Sequence, residues 1–143
     1  MQQFIYPAIL ETDDDGVTIT FPDVPEAITC GDSYEDALIS AADCLDEAIA
    51  GRIDDNEDIP EPSAAKARQP LIAVPALTAA KAAVYLAARE ARIKKTELAK
   101  ALSVDEKEAR RILDPRHKTK LETLERALHA LGKRFIVTID DAA

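Results

Sequence analysis

The sequence predicts an α+β chain: a small antiparallel sheet with one main helix, then an all-α helix-turn-helix region that ends in a terminal strand. Three observations predict it. Alternating apolar residues around an Asp-Gly turn mark a hairpin near the N-terminus. A single stripe of Ala, Leu and Ile at helical spacing follows. The second half breaks into four helical segments with capping signals between them. Charge also divides the 143 residues. Residues 1–68 carry 17 Asp and Glu against 3 Lys and Arg, a balance of −14, whereas residues 69–143 carry 15 basic and 10 acidic residues, a balance of +5. Together these give the net −9 of the chain. Two domains are therefore expected, 1–77 acidic and suited to a protein partner, 78–143 basic and suited to DNA.

The elements read in order as follows. Phe4 to Leu10 is strand-like, with Pro7 marking an edge or an early bulge. Asp13-Asp14-Asp15-Gly16 supplies the turn, and Val17, Ile19 and Phe21 alternate with Thr18 and Thr20 in a half-buried strand. A short strand from Ala27 to Cys30 precedes Gly31-Asp32. Ser33 is an N-cap, and Asp36 stands at the capping-box offset. Ala37, Leu38, Ala41, Ala42, Leu45, Ala48 and Ile49 form the stripe of a helix that Gly51 is placed to stop. Asp54 to Pro70 has loop chemistry, with one helical turn expected at Ser63 to Arg68. Leu71 to Leu77 is β-leaning and expected to return to the same sheet. Helices are expected from Thr78 to Arg92, Thr96 to Leu102, Asp105 to Leu113 and Leu121 to Leu131, with Gly132 closing the last.

The segment from Thr96 to Leu113 carries the main functional signal. Two short helices joined by a tight turn are the unit that places a recognition helix in the major groove. Leu98, Ala99 and Leu102 supply the inner face of the first helix and Ala109, Ile112 and Leu113 that of the second. Asp105 caps the second, with Glu108 at the capping-box offset. Glu106, Lys107, Arg110 and Arg111 are left pointing outward. Lys107 and Arg110 are expected to read bases, since Arg or Lys to guanine is the commonest specific contact. Lys95, Thr96, Arg116, His117, Lys118 and Lys120, with Lys94, flank them and suit phosphates.

Other chemistry finds little support. Asp13, Asp14, Asp15 and Asp23 invite comparison with two-metal sites, but consecutive aspartates in a turn diverge into water. Metal ligands must converge from separate elements, so no metal or cofactor is expected. Neither Ser40 nor Cys44 has a histidine near it in sequence, and no catalytic residue is assigned. Cys30 and Cys44 are too few for a disulfide framework and are expected as reduced core residues. No apolar run approaches the roughly 20 residues of a membrane span. The start, Met1-Gln2-Gln3-Phe4, lacks a secretory pattern, so the cytoplasm is the expected compartment.

With these residues in view, the chain resembles the HicB family of type II antitoxins, in its variant with a C-terminal helix-turn-helix. VTITFPDVPEAITCGDSYEDAL, residues 17–38, is similar to the N-terminal domain of that family, and ARRILDPRHKTKLETLERALHALGKRF, residues 109–135, to the tail of the variant. The resemblance implies a partial, non-catalytic ribonuclease H-like fold in the N-terminal domain. It implies a small basic HicA-like mRNA-cleaving toxin as partner, and a homodimer or higher oligomer that represses its own operon by binding operator DNA. Asp23 and Asp32, beside the matched motifs, are the partner-facing candidates. Glu26-Ala27 and Lys95 depart from the family, which often has a glycine-bearing turn and a glutamine there. Phe135, Val137 and Ile139 alternate with Ile136 and Thr138 in a strand apolar on both faces, expected to pair with its copy in a second subunit. The residues also leave open a DNA-binding regulator whose N-terminal domain senses a ligand or oligomerises.

Overall fold

The structure is a computed structural model that describes residues 1–142. Five strands and five helices follow in the order β1 (Ile5–Pro7), β2 (Ile9–Asp13), β3 (Gly16–Thr20), β4 (Ile28–Gly31), α1 (Tyr34–Asp54), β5 (Leu71–Ala73), α2 (Ala76–Ala91), α3 (Lys95–Leu102), α4 (Glu106–Leu113) and α5 (Leu121–Ala130). The chain is thus α+β, with small antiparallel sheets. The expected single sheet is two: β2, β3 and β4 form one in that order, and β1 pairs with β5 in the other. The expected first strand is broken at Ala8, directly after Pro7, where the Ala8 N–H bonds Pro70 instead of a neighbour in the first sheet. A proline cannot donate to a ladder, and here it marks the switch between sheets.

Alternation places the β3 residues Val17 and Ile19 in the core, opposite Gly31 and Thr29 of β4. The other face carries Ile9, Glu11, Thr18, Thr20, Ile28 and Cys30, so Cys30 is exposed rather than a core residue; Cys44 is half-buried. Ser33 caps α1 by accepting from the Asp36 N–H at 3.2 Å. Gly51 does not stop the helix. Ile53 extends the buried stripe of Leu45 and Ile49 by one turn, and Asn56, in a left-handed conformation (φ 55°), follows the end at Asp55. Gly31 is required where β4 crosses α1, because a Cβ there would lie 2.5 Å from the Ala37 nitrogen.

The segment from Asp55 to Pro70 is irregular, without the helical turn expected at Ser63 to Arg68, where the Ser63 N–H bonds Asp23 and the Lys66 N–H bonds the Gln69 side chain; its first residues are held by other elements. Tyr6 donates to the Pro60 carbonyl at 2.7 Å and Tyr85 to that of Glu57 at 2.6 Å. Arg52 donates to the Asp58 carbonyl, and Ile59 is buried in the core. Leu77 joins α2 rather than β5, because Pro75, with φ −50°, already starts the helix.

Helix α2 belongs to two cores. Ala82 and Tyr85 face the cluster built on β3 and α1; Ala80, Val84 and Ala87 face the cluster of Leu98, Leu102, Ile112, Leu124 and Leu128. Helices α2 and α3 end alike, with Arg92 and Ser103 left-handed at φ 54° and 56°. The next residue, Ile93 or Val104, returns its N–H to Ala88 or Ala99 and packs on the second core. Helix α5 closes the same way through Gly132. The expected terminal strand from Phe135 to Ile139 is absent from the single chain, because among the described residues no sheet edge pairs with it.

Candidate functional site

Helices α3 and α4, eight residues each, are joined by Ser103, Val104 and Asp105. Leu98, Leu102, Ala109 and Ile112 are buried, so the remaining sides face outward. Asp105 accepts from the Glu108 N–H at 2.8 Å, as its spacing predicts. Glu106, Lys107 and Arg110 are exposed on α4, and Arg111 lies 3.6 Å from Glu108 one turn back. Lys95 and Thr96 form the exposed first turn of α3.

A groove of about 920 Å³ gathers part of this set. Lys95, Thr96 and Arg110 line it together with Lys94, Arg89 and Arg92 from the end of α2. Asp54 and Asn56, at and beyond the end of α1, also line it, and Tyr85 and Leu113 add apolar surface. Lys107, Lys118 and Lys120 lie outside the groove. Arg89 and Arg92 carried no individual sequence signal, since arginines at a helix end are ordinary. Arg89 donates to the Asn56 and Glu57 carbonyls, pairs with Asp58 at 2.8 Å, and lies 5.3 Å from the Tyr85 ring centre.

Arg116 is placed differently from its neighbours. Its guanidinium pairs with Glu47 at 2.7 Å and Asp54 at 3.1 Å, so the loop before α5 is tied to α1 of the acidic half. These hydrogen-bonded carboxylates raise its pKa further above the ordinary arginine value. His117 turns inward, with Nδ1 at 3.0 Å from Thr119 Oγ1. Beside it is the residue that sequence reasoning missed. Lys81 of α2 is 2% exposed, and its Nζ donates to the Arg111 and Ile112 carbonyls at 2.7 and 3.0 Å and to Thr119 Oγ1 at 2.6 Å. Its signal was a lone lysine in an alanine-rich stretch, at the position where Val84, Tyr85 and Ala88 continue an apolar face.

The acidic half presents other groups. Asp23 accepts from both the N–H and hydroxyl of Ser63, at 2.9 and 3.0 Å, and so holds the long loop in place. Asp32 is exposed directly before the α1 cap. Glu26 forms two hydrogen bonds with Arg52, which hold its carboxyl below the usual range. Burial, reinforced by the nearby Asp23 charge, pushes the Tyr6 hydroxyl up to about 12. Burial also raises the Cys44 thiol, away from thiolate reactivity. Asp13 accepts from the Asp15 N–H within the exposed turn. Among the described residues no group of three His, Cys, Asp or Glu could hold a metal, and no helix is long and apolar enough to cross a membrane. Of the tail residues, Phe135 packs against the second core, whereas Val137 and Ile139 are 79% and 96% exposed.

Known proteins are similar to this chain in sequence. The family described as the HicB-like antitoxin of bacterial toxin-antitoxin systems matches residues 5–83, which take in both sheets, α1 and the first half of α2. The chain is 39% identical to Antitoxin HicB 2 of Photorhabdus laumondii subsp. laumondii over 130 residues, 91% of this chain and 92% of the relative. It is 32% identical to Antitoxin HicB of Pseudomonas fluorescens over 140 residues, 97% of this chain and 96% of the relative. It is 33% identical to Antitoxin HicB of Escherichia coli (strain K12) over 131 residues, 91% of this chain and 95% of the relative. The chain therefore belongs to the HicB-like antitoxin family of bacterial toxin-antitoxin systems.

Proposed function

We propose that this antitoxin neutralises a small basic HicA-like mRNA-cleaving toxin through residues 1–77 and represses its own operon through residues 78–143. In this reading the N-terminal half is a partial, non-catalytic ribonuclease H-like fold that covers the toxin. A domain with a balance of −14 suits a basic, RNA-binding partner, because complementary potential speeds and orients association. The outer face of the β2–β3–β4 sheet, with Ile9 and Ile28 exposed beside Glu11, offers apolar area within that negative field. Asp32 is exposed to a partner, whereas Asp23 acts by holding the long loop at Ser63.

For the DNA half, α3 and α4 act as a helix-turn-helix with α4 in the major groove. One observation carries this: the outward side of α4 bears Lys107, Arg110 and Arg111, none covered by its own chain. Lys107 and Arg110 read base edges, with Glu106 placed to accept from cytosine. Lys95, Thr96, Lys118 and Lys120 hold phosphates, with Arg111 supporting from the rim. The apolar tail, unpaired in one chain, joins its copy in a second subunit and spaces two recognition helices along a two-fold site.

Co-expression with the small basic protein encoded beside it tests the first half: a stable complex that abolishes RNA cleavage is expected, and free toxin activity in its presence refutes it. Gel shift on the duplex upstream of its own coding sequence tests the second. Equal affinity for that duplex and a scrambled one refutes operator recognition.

A further inference from the structure

We propose that Lys81 is a positioning residue for DNA reading, a buried ammonium on α2 that fixes α4 relative to the loop leading into α5. The inference rests on the reading that α4 enters the major groove. The last carbonyls of a helix have no partner within it and carry the negative end of its dipole. Arg111 and Ile112 supply two such carbonyls at the end of α4, and both are met by the same Nζ. The third partner, Thr119 Oγ1, belongs to the loop, donates in its turn to the Arg111 carbonyl at 3.3 Å and touches His117. One side chain therefore joins three elements through bonds of 2.6 to 3.0 Å.

The placement matters because of what hangs on either side of it. Arg110 and Arg111 stand within the last turn of α4, and Lys118 and Lys120 flank Thr119. In this reading Arg110 faces the bases, Arg111 the rim, and Lys118 and Lys120 the phosphates. Their spacing is set where Lys81 binds, and a base contact tolerates little error in spacing because a bidentate hydrogen bond is directional. A buried lysine is costly and rarely kept unless it is paired. An apolar residue would fill the position between Ala80 and Ala82 at no such cost, so the packing of α2 alone does not call for an amine here.

Lys81→Met keeps the volume and removes the donor. Binding of the wild type and the variant is measured on the duplex upstream of the coding sequence and on a scrambled duplex, with folded fractions equalised by circular dichroism. The ratio of the two affinities should fall about 5- to 150-fold, the worth of one well-made base contact. Affinity for the scrambled duplex and its salt slope should stay unchanged, since the surface cations remain. Loss of folded protein alone would lower both affinities together. If Lys81→Met does not fold, Thr119→Val, which removes one partner and leaves the ammonium paired, should lower the same ratio. An unchanged ratio in a folded variant overturns the assignment of Lys81 alone, whereas a wild type that does not discriminate overturns the groove reading and this inference with it.

Discussion

The titration of Lys81 gives a stability prediction independent of DNA. Burial lowers its pKa from 10.5 to about 8, with Asp114 and Glu108 opposing the fall. Below about pH 8 folded and unfolded chains both hold the proton, and stability does not depend on pH through this group. Between about 8 and 10.5 the unfolded chain keeps a proton that the folded chain has released. Stability rises with pH wherever the unfolded state binds more protons. From about pH 7 to about pH 9.5 the gain is roughly 2 kcal/mol, at about 1.4 kcal/mol per pK unit. Urea unfolding of wild type and Lys81→Met across that range isolates the contribution. Tyr6 and Cys44 are common to both chains and cancel in the difference. Whatever the gap in stability at neutral pH, it should shift by about 2 kcal/mol in favour of the wild type on going to about pH 9.5. Parallel pH profiles would refute the lowering of the Lys81 pKa by burial.

Three further outcomes follow from named contacts. Arg110→Ala should weaken binding to the upstream duplex by about 1–3 kcal/mol and relax its sequence preference, whereas Arg116→Ala, whose guanidinium is committed to Glu47 and Asp54, should change it by less than about 1 kcal/mol. A gel shift with the two effects reversed would refute this division of labour. Removing residues 134–143 should turn a dimer into a monomer in sedimentation, and a truncated protein that stays dimeric rules out pairing of the tails. Gly31→Ala should cost on the order of 2 kcal/mol in urea unfolding, because its Cβ meets helix backbone that cannot move aside; an unchanged midpoint would contradict the close approach of β4 and α1.

Local chemistry made most elements legible in the sequence. The Ser33 and Asp105 caps, the Val17 and Ile19 alternation and the apolar faces of α3 and α4 all depend on residues within a few positions of each other. What escaped depends on distant partners. Gly51 looks like a stop, yet Ile53 finds a core that only the folded sheet provides, and burial outweighs the roughly 1 kcal/mol cost of a helical glycine. Arg92 and Ser103 end helices in a conformation usually signalled by glycine, and packing of Ile93 and Val104 substitutes for that signal. Cys30 has the composition of a core residue and the register of an exposed one. For the candidate site, the exposure of Lys107, Arg110, Lys118 and Lys120 follows from helical spacing. The inward turn of His117, the capture of Arg116 by α1 and the burial of Lys81 do not, since each is decided by a residue thirty or more positions away or by the loop's own path.

The same distinction bears on how two opposed charges coexist in one chain. Sequence separates −14 from +5, and free polyelectrolyte halves of that kind would collapse onto each other without a fixed arrangement. The fold prevents this by local pairing. Among the described residues Arg52, Arg89 and Arg116 meet acidic-half carboxylates, at Glu26, Asp58, and Glu47 with Asp54. Arg89 and Arg116 come from the basic half; among the described residues the α4 cations Lys107, Arg110 and Arg111 pair with no carboxylate of the acidic half. Helix α2, with one side in each core, holds the two bodies at a set distance. The acidic end of α1, at Asp54, and Arg110 of α4 both line the groove. Exposed pairs of this kind contribute about 0–1 kcal/mol each, so the buried faces of α2 in both cores, more than the interhalf pairs, carry the join.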